Sequence, residues 1–394
     1  MNPSKSIDGT LRCRPAGCET KPLRGGRISH LVGPLYHAPG AVKNVGPSHA
    51  ISRSPPVKTH NLWYAALCQL DQPNPARRSD MRRNTDKTLE LLERAVTGYA
   101  PFHDVRLVVF PEFGLSAPIY GTVEELREHL ALPVENEHVA RIAAKAKELG
   151  CFVQTGSFIE SDPDHPDCLF NTTLLISDEG RILSRYRKTN PWIPWEVHAS
   201  PHDIEDYPDD PFPVVETSLG RLGVATCYDW LFPEVCRELG LRGCEVMIRI
   251  SAYMDPWGAT APMDWWTVIN RARAIENTAY VLACNQGATG SHYPPFSWPG
   301  GSQAVDFDGR ILAEATPGPG ERIVVAPVHI GWLREERERR RGHAMVSHLR
   351  TELYARQRAP IFPRVGTPED RTVEGLNRLI DETRRRMTPR RKED

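Results

Sequence analysis

Three residues with different chemistry each follow a segment with strand character in this sequence of 394 residues. Glu112 follows the run VVFP, Lys188 follows RYR, and Cys227 follows VAT. A thiolate is a nucleophile, a carboxylate can take the thiol's proton, and an ammonium can stabilise the oxygen of a tetrahedral intermediate. An amide carbon is a poor electrophile, so its attack needs all three kinds of group. Together the three residues predict chemistry of this kind.

Each of these residues, taken alone, has a simpler interpretation. Cys227 could be an inert buried thiol, and Glu112 could be a carboxylate in solvent. Lys188 could belong to an exposed basic face, because it ends the run RYRK. The fourteen histidines form no recognisable Cys–His signature. The hypothesis therefore depends on the combination of the three residues.

The segments before the three residues predict β-strands, which would position their side chains. We expect strands over 105–110, 182–186 and 222–225. Side chains at strand ends in an α/β sheet converge on one crevice, so the three residues should lie close together. A helical segment over 232–241 follows Cys227, and we expect its N-terminus to favour the thiolate form.

Strands and helices alternate between about residue 60 and residue 330. Further strands are expected over 62–70, 151–159, 171–177, 245–251, 280–285, 302–306 and 322–328. Helices are expected over 86–97, 123–129, 137–149 and 262–277. This order predicts an α/β domain in which helices cover mixed sheets. The segment 188–213 has no repeating pattern and is expected to be a long functional loop.

The two ends of the chain differ in composition from the centre. Residues 1–58 are basic and rich in Pro, Gly and Ser, which predicts a disordered extension; a tether or a transit segment is the alternative. The main domain is expected over 59–331. Residues 332–394 are expected to form a charged, partly helical arm that ends in a mobile tail over 364–394.

The overall composition limits the classes of partner. A net charge of −1 gives no indication of a nucleic-acid or membrane surface, and no apolar run is long enough to span a bilayer. The nine cysteines are scattered, without a CxxC pair or a zinc-ligand pattern. We therefore expect a cytoplasmic protein with no metal and no cofactor.

The motifs around the three residues resemble those of the nitrilase superfamily of carbon–nitrogen hydrolases. The runs FPE at 110–112, YRK at 186–188 and CYDWLFPE at 227–234 are similar to the family's three signature blocks, in the same order. The resemblance covers about residues 62–330. It implies a four-layer α-β-β-α sandwich that assembles into a homodimer or a larger homo-oligomer, with the C-terminal arm packed across a partner.

The resemblance also implies a role for each residue. Glu112 would be the base, and Cys227 would be the nucleophile that forms a thioester. Lys188 and the backbone N–H of Tyr228 would hold the oxyanion. True nitrilases usually have Trp and Glu after the cysteine, whereas Tyr228-Asp229 resembles the amidase and carbamoylase branches.

A further run points to one branch of the family. KTNPWIPWE at 188–196 and AYMDP at 252–256 are similar to segments of the aliphatic amidase and formamidase branch. In that branch the glutamate is a fourth active-site residue, which makes Glu196 a candidate to position the substrate amide. Aliphatic amidases follow the cysteine with an acid-and-Gly pattern, not with YDWL. This departure leaves the size of the substrate open.

Aromatic residues flank the motifs, and we expect Trp192, Tyr228 and Tyr253 to line a pocket for a small or flat apolar acyl group. The predicted function is hydrolysis of a small carboxylic amide to the acid and ammonia. The alternatives are a nitrilase or an N-carbamoyl-amine hydrolase that uses the same three residues. A non-catalytic binding scaffold is a further alternative, but it would not need this set of ionisable groups.

Overall fold

The computed structural model describes residues 60–254, 258–290, 298–358 and 360–387, with the backbone alone at 355–358 and 369. The predicted extension at 1–58 and the last two residues of the AYMDP run lie outside them. Thirteen strands occur in the described residues, in chain order β1 (Leu62–Gln69), β2 (Val105–Val109), β3 (Phe152–Gln154), β4 (Phe158–Ser161), β5 (Leu169–Ile176), β6 (Ile182–Arg187), β7 (Val214–Thr217), β8 (Gly220–Thr226), β9 (Val246–Ser251), β10 (Tyr280–Asn285), β11 (Gln303–Val305), β12 (Ile311–Glu314) and β13 (Arg322–His329). The α-helices of the same part are α1 (Met81–Thr97), α2 (Val123–His129), α3 (Glu137–Leu149), α4 (Pro233–Leu241), α5 (Trp265–Asn277), α6 (Ile330–Arg339) and α7 (Val373–Met387).

The strands form two sheets. The first has the order β13-β1-β2-β3-β5-β4, with β6 also paired to β5, and the second has the order β12-β11-β10-β9-β8-β7. β1, β2 and β3 are parallel in the first sheet, as are β8, β9 and β10 in the second. Parallel neighbours end at the same edge of a sheet, so residues that follow them can meet there.

The layers follow from the alternation of side chains along each strand. In β1, Trp63, Ala65 and Leu67 lie in the core between the sheets, whereas Ala66 and Cys68 pack with the helices outside the first sheet. Helices α1 and α3 cover that outer face, and α4 and α5 cover the outer face of the second sheet. The expected four-layer α-β-β-α sandwich is confirmed.

The predicted strand over 151–159 was wrong in one respect, because it is broken into β3 and β4. The break lies at Gly156, whose backbone crosses that of Gly114 in the loop after β2. A Cβ atom on Gly156 would lie only 2.6 Å from the Cα of Gly114, so a side chain there would force the two loops apart. The interruption lets the segment that bears Glu112 approach the first sheet.

The expected mobile tail was also wrong for the residues that form α7. Leu376 of α7 and Val365 before it join an apolar cluster with Val197, which lies in the long loop after β6. The high charge of this segment hid the apolar stripe that makes it a helix. The strands β7 and β12 were not predicted either. Among the described residues, no helix is both long enough and apolar enough to cross a membrane.

Candidate active site

Glu112 lies in the loop after β2, and its buried carboxylate has a partner on every side. Oε1 accepts hydrogen bonds from Lys188 Nζ at 2.8 Å and from Asn171 Nδ2 at 3.0 Å. Oε2 accepts one from the backbone N–H of Ala252 at 2.9 Å. The backbone oxygen of Glu112 accepts a further bond from Gln286 Nε2 at 2.7 Å. The carboxylate is therefore fixed by elements of both sheets.

Lys188 directly follows β6 and is buried between two carboxylates. Its Nζ lies 2.8 Å from Glu112 Oε1 and 2.7 Å from Glu196 Oε2. Glu196 is held in turn by the backbone N–H of Trp192, which donates to Oε2 at 2.6 Å. Nε2 of His198 lies 3.3 Å from the same oxygen. Ion pairs this deeply buried are stable only when the remaining hydrogen-bonding groups are also satisfied.

Cys227 follows β8 and begins a short 3₁₀ turn over Cys227–Leu231, which we call the Cys227 turn. Its φ is +49°, a left-handed conformation that is unfavourable for a residue with a Cβ. A sharp turn of this kind after a strand projects a nucleophile away from the sheet. The thiol is within hydrogen-bonding reach of Glu112 and lowers the pKa of that carboxyl. The residue is 8% exposed.

Asp229 joins the Cys227 turn to the segment that follows β6. Its buried carboxylate accepts hydrogen bonds from the N–H of Thr226 at 2.9 Å and from the hydroxyl of Tyr186 at 2.7 Å. It also accepts from the N–H of Asn190 at 2.8 Å. The same side chain thus fixes the backbone just before Cys227 and the backbone just beyond Lys188.

The electrostatics correct one expectation about the nucleophile. Burial, followed by the nearby Glu112 carboxylate, raises the pKa of the Cys227 thiol, and Lys188 offsets only part of this effect. The helix that was expected to favour the thiolate begins at Pro233, within one residue of the prediction, but the Cys227 turn separates its N-terminus from the thiol. The thiol is therefore protonated at neutral pH, and a base must take its proton before or during attack.

Glu112 has the properties of such a base. Burial raises the pKa of its carboxyl above the ordinary range, and the negative charge of Glu196 adds to this effect, while Lys188 opposes it. For Glu196, burial acts in the same direction, but Lys188 and His198 outweigh it and bring the pKa down to about 2. The two carboxyls of the site thus have pKa values that differ in the direction expected for a proton carrier and a permanent anion.

Arg249 is a second buried cation on the side of the second sheet. Its guanidinium lies 4.2 Å from the ring centroid of Trp266, and its Nη1 donates to Asn270 Oδ1 at 2.7 Å. Burial lowers the pKa of Arg249 to about 10, and the charge of this residue lowers that of Cys227. None of its hydrogen-bond partners within the described residues is a carboxylate. Its positive charge is therefore available to stabilise a thiolate nearby.

Two of the aromatic residues predicted to line a pocket lie near the Cys227 turn. Tyr228 is partly buried and packs edge-on against Phe232, with ring centroids 5.2 Å apart. Tyr253 is buried and stacks on Trp266 at 6.0 Å, with the guanidinium of Arg249 5.1 Å from its ring centroid. The ring of Tyr253 thus packs against Trp266 and Arg249, and its role toward a substrate stays a prediction.

Trp192, the third predicted aromatic residue, belongs to an apolar cluster beside Glu112. It is partly buried and stacks on Trp195, with ring centroids 4.4 Å apart. The cluster is joined to the polar residues through the chain, because Phe113 follows Glu112 and the N–H of Ala252 bonds to its carboxylate. Its members are Phe113, Trp192, Ala252, Met254, Ala288 and Trp298.

The structure therefore brings Glu112, Lys188, Glu196 and Cys227 together, and we call these four residues the central cluster. Sequence reasoning missed the roles of Asn171, His198 and Arg249, which have no local motif. Asp229 was noted only as part of the run after Cys227, although its place in a tight turn was a signal for capping. Within the described residues, no group of side chains is arranged to hold a metal ion.

The pattern of the carbon–nitrogen hydrolase family matches residues 64–337. A formamidase of Bradyrhizobium diazoefficiens is 34% identical over 276 residues, which span 69% of this chain and 73% of that one. A formamidase of Bacillus cereus is 31% identical over 279 residues, which span 69% and 76%.

Solved structures share the same fold. A carbon–nitrogen hydrolase from Helicobacter pylori G27 superimposes with a TM-score of 0.61 and 22% identity, covering 76% of this chain and 99% of that one. A mutant amidase from Nesterenkonia sp. AN1, with the acetamide moiety of fluoroacetamide added covalently to its active-site cysteine, has a TM-score of 0.56 and 21% identity. It covers 77% of this chain and 99% of that one.

Proposed function

The chain belongs to the carbon–nitrogen hydrolase family, and we propose that it hydrolyses a small carboxylic amide to the carboxylic acid and ammonia. It is an enzyme of the formamidase and amidase type. One observation carries the finer proposal: the buried thiol of Cys227 and the buried carboxyl of Glu112, whose pKa values are both raised, lie beside a buried ammonium, with Lys188 Nζ 2.8 Å from Glu112 Oε1. The similarity to formamidases supports a small amide as substrate.

The first half of the proposed reaction forms a thioester. Glu112 takes the proton of the Cys227 thiol while the sulfur bonds to the amide carbon, and the carbonyl oxygen gains a negative charge. The ammonium of Lys188 and the backbone N–H of Tyr228 stabilise this oxygen. Glu112 then gives its proton to the amide nitrogen, the carbon–nitrogen bond breaks, and ammonia leaves.

The second half consumes water. Glu112 takes a proton from a water molecule while the water oxygen bonds to the thioester carbon. The second tetrahedral intermediate collapses with loss of the Cys227 sulfur, which regains its proton from Glu112. The sum is one amide and one water converted to one acid and one ammonia, and each residue returns to its starting state.

The apolar cluster beside Glu112 supports a small, uncharged acyl group. Its six members carry no charged side chain, and Ala252 and Ala288 are the only small ones among four bulky neighbours. An acyl group that enters between them would be desolvated, so a charged acyl group would lose its hydration without gaining an ion pair. We therefore propose that short aliphatic amides are better substrates than charged ones, and that Trp192 packs against the acyl chain.

Ammonia release from a matched panel tests the proposed function. The panel contains formamide, short aliphatic amides, aromatic amides, and the corresponding nitriles and N-carbamoyl amines. The proposal expects turnover confined to amides, with an optimum among short acyl groups. Carbon dioxide released together with ammonia would identify a carbamoylase instead, and turnover of nitriles would identify a nitrilase. Turnover of none of these compounds by the folded protein would contradict the proposal.

We also propose that the chain assembles into a homodimer or a larger homo-oligomer. The support is a row of apolar side chains on one face of α5, where Trp265, Val268 and Ile275 are exposed at helical spacing. A second copy of the chain would cover this face, as is common for closed symmetric assemblies. The C-terminal arm is proposed to pack across that partner.

The cytoplasm is the proposed location of the enzyme. Nine cysteines without a paired motif are typical of proteins that work in a reducing compartment. The seven cysteines within the described residues are all unpaired. The substrate is proposed to be a free small molecule, and no nucleic acid or membrane is proposed as a partner.

A further inference from the structure

The last part of the C-terminal arm packs against the loop that bears Glu196. We call residues 360–379 the C-terminal clamp and residues 188–205 the Glu196 loop. We propose that the clamp holds Glu196 in its place beside Lys188, and that Arg371 is the positioning residue that keeps the clamp attached. The arm before residue 360 stays available to a second copy of the chain. This inference rests on the proposed function only for its kinetic test.

Apolar side chains of the clamp and of the Glu196 loop share one cluster. Val197, which follows Glu196 directly, is fully buried in this cluster. Ile193 packs against the same cluster and follows Trp192, whose N–H donates to the Glu196 carboxylate at 2.6 Å. The clamp contributes Phe362, Val365, Leu376 and Leu379 to the cluster. The clamp therefore packs against residues on both sides of Glu196.

A chain of hydrogen bonds also joins the clamp to the residue that follows Lys188. The N–H of Val365 donates to Asp203 Oδ1 at 3.0 Å. The other carboxylate oxygen of Asp203 accepts from the N–H of Ser200 at 2.9 Å. The hydroxyl of Ser200 donates in turn to the backbone oxygen of Thr189 at 2.6 Å. The clamp is thus linked to the backbone that carries the ammonium of the site.

Arg371 fixes the clamp to the main domain. Its side chain is buried, and within the described part of the chain it forms no ion pair. Nη2 donates to the backbone oxygen of Val365 at 2.9 Å, inside the clamp, and Nη1 donates to that of Asp167 at 3.1 Å, just before β5. A buried cation without a carboxylate partner is costly, so its stability depends on these hydrogen bonds. The guanidinium therefore ties the clamp to the start of β5.

The start of β5 is itself in contact with the Glu196 loop and with the active site. The N–H of Ala199 donates to the backbone oxygen of Leu169, the first residue of β5, at 2.7 Å. Asn171, two residues further along β5, donates to the Glu112 carboxylate at 3.0 Å. Arg371 thus joins the clamp to the strand on which the Glu196 loop rests.

Loss of the clamp should lower kcat more than it changes KM. Ile193 and Val197 would lose apolar cover on the outside of the loop, and Glu196 would be free to move away from Lys188. The ammonium would then be held less firmly where the oxyanion forms, which weakens transition-state stabilisation rather than substrate binding. A displacement of about 1 Å can cost roughly 100-fold in rate, so a partial loosening should lower kcat by about tenfold.

Arg371→Gln tests the clamp, and Arg337→Gln is the matched control. Arg337 of α6 is a partly buried arginine that also donates to two backbone oxygens, those of Thr278 and Cys244, away from the Glu196 loop. Hydrogen–deuterium exchange, read by mass spectrometry, should be at least about tenfold faster over residues 190–205 in Arg371→Gln, because the loop opens more easily. On the best amide of the panel, kcat should fall by about tenfold with little change in KM. Arg337→Gln should match the wild type in both measurements.

Unchanged exchange over residues 190–205 in a folded Arg371→Gln variant would overturn the inference, and so would faster exchange with wild-type kcat. Equal changes in Arg337→Gln would also overturn it, because they would show a general loss of stability. If Arg371→Gln does not fold, Asp203→Asn is the milder variant, since it leaves the guanidinium in place and removes one acceptor oxygen. It should change exchange and kcat in the same direction, and a wild-type result in either would contradict the inference.

The exchange measurement needs no amide turnover, so it tests the clamp even if the proposed substrate class is wrong. A wild-type protein that turns over none of the panel would contradict the proposed function. Exchange that does not respond to Arg371→Gln or to Asp203→Asn would contradict the clamp. The two failures are therefore distinguishable.

Discussion

Glu196 uses both of its carboxylate oxygens within the protein. Oε1 accepts from Lys188, and Oε2 contacts the N–H of Trp192, Lys188 and His198. The sequence suggested that this residue accepts a hydrogen bond from the substrate amide. The contacts favour a different role, in which Glu196 fixes the ammonium of Lys188 where an oxyanion would form.

We therefore predict that Glu196→Gln lowers kcat by about 100-fold with little change in KM. Transition-state stabilisation by Lys188 would weaken, whereas ground-state binding would not. Steady-state kinetics on the best amide of the panel would measure this. Glu245→Gln is the matched control, because Glu245 is a buried carboxylate paired with Arg334 outside the cluster. A raised KM with unchanged kcat would instead assign Glu196 to substrate binding.

At this scale the sequence predicted the residues that carry unusual chemistry and missed those that support them. Glu112, Lys188 and Cys227 could be found because each follows a strand and their types make one reaction together. Asn171 and His198 come from separate elements, and nothing in their local sequence marks them. The expected thiolate form of Cys227 was also wrong, because burial raises the pKa of the thiol and a local sequence pattern does not give the burial of a side chain.

The Cys227 turn shows how elements position a side chain. β8 ends directly before Cys227, at the carboxyl ends of the parallel strands of the second sheet. Cys227 adopts a φ of +49° there, a backbone conformation that is unfavourable for a residue with a Cβ. The carboxylate of Asp229 supplies the restraint, since it accepts from the N–H of Thr226 and from Tyr186 of β6. The nucleophile and the lysine thus share one anchor although they belong to different sheets.

Asp229→Asn should weaken both ends of this anchor. An amide has one oxygen to accept with, so at least one charge-assisted hydrogen bond would be lost, at a cost of about 2 kcal/mol. We predict a kcat at least tenfold lower and a Tm lower by roughly 4 °C. Kinetics and thermal unfolding measure the two effects.

Asp306→Asn is the control for this prediction. Asp306 accepts from the N–H groups of Asp308 and Arg310 in the turn between β11 and β12, which contributes nothing to the central cluster. That variant should lose stability and keep its kcat. If Asp229→Asn also lost only stability, the anchor would have no part in placing Cys227.

Most helices and strands were predictable from the spacing of apolar residues, which is regular in β1 and in α3. Gly150 ends α3 with φ +63°, as its position after the apolar stripe indicated. The pattern failed where a tertiary contact decides the backbone. Gly156 breaks the strand predicted over 151–159 because the loop of Glu112 passes there, and a crossing of two loops has no signature in either segment.

The assembly of the whole molecule is tested on the exposed face of α5. Val268 is 59% exposed on that face, and a charge there would be buried against a second copy. Val268→Asp should therefore reduce the mass measured by analytical ultracentrifugation to that of a smaller species. Phe102→Asp changes an even more exposed apolar residue, 78% exposed in the turn after α1, and should leave the mass unchanged. A wild-type mass for Val268→Asp would exclude this face as the interface.

The most direct test of the whole account compares ammonia release by the wild-type enzyme and Cys227→Ala on the best amide of the panel. Cys236→Ala, which changes another fully buried free cysteine, is the control. We predict no release by Cys227→Ala above the buffer blank, with folding unchanged by thermal unfolding, and turnover retained by Cys236→Ala. Wild-type release of ammonia by a folded Cys227→Ala variant would contradict the mechanism.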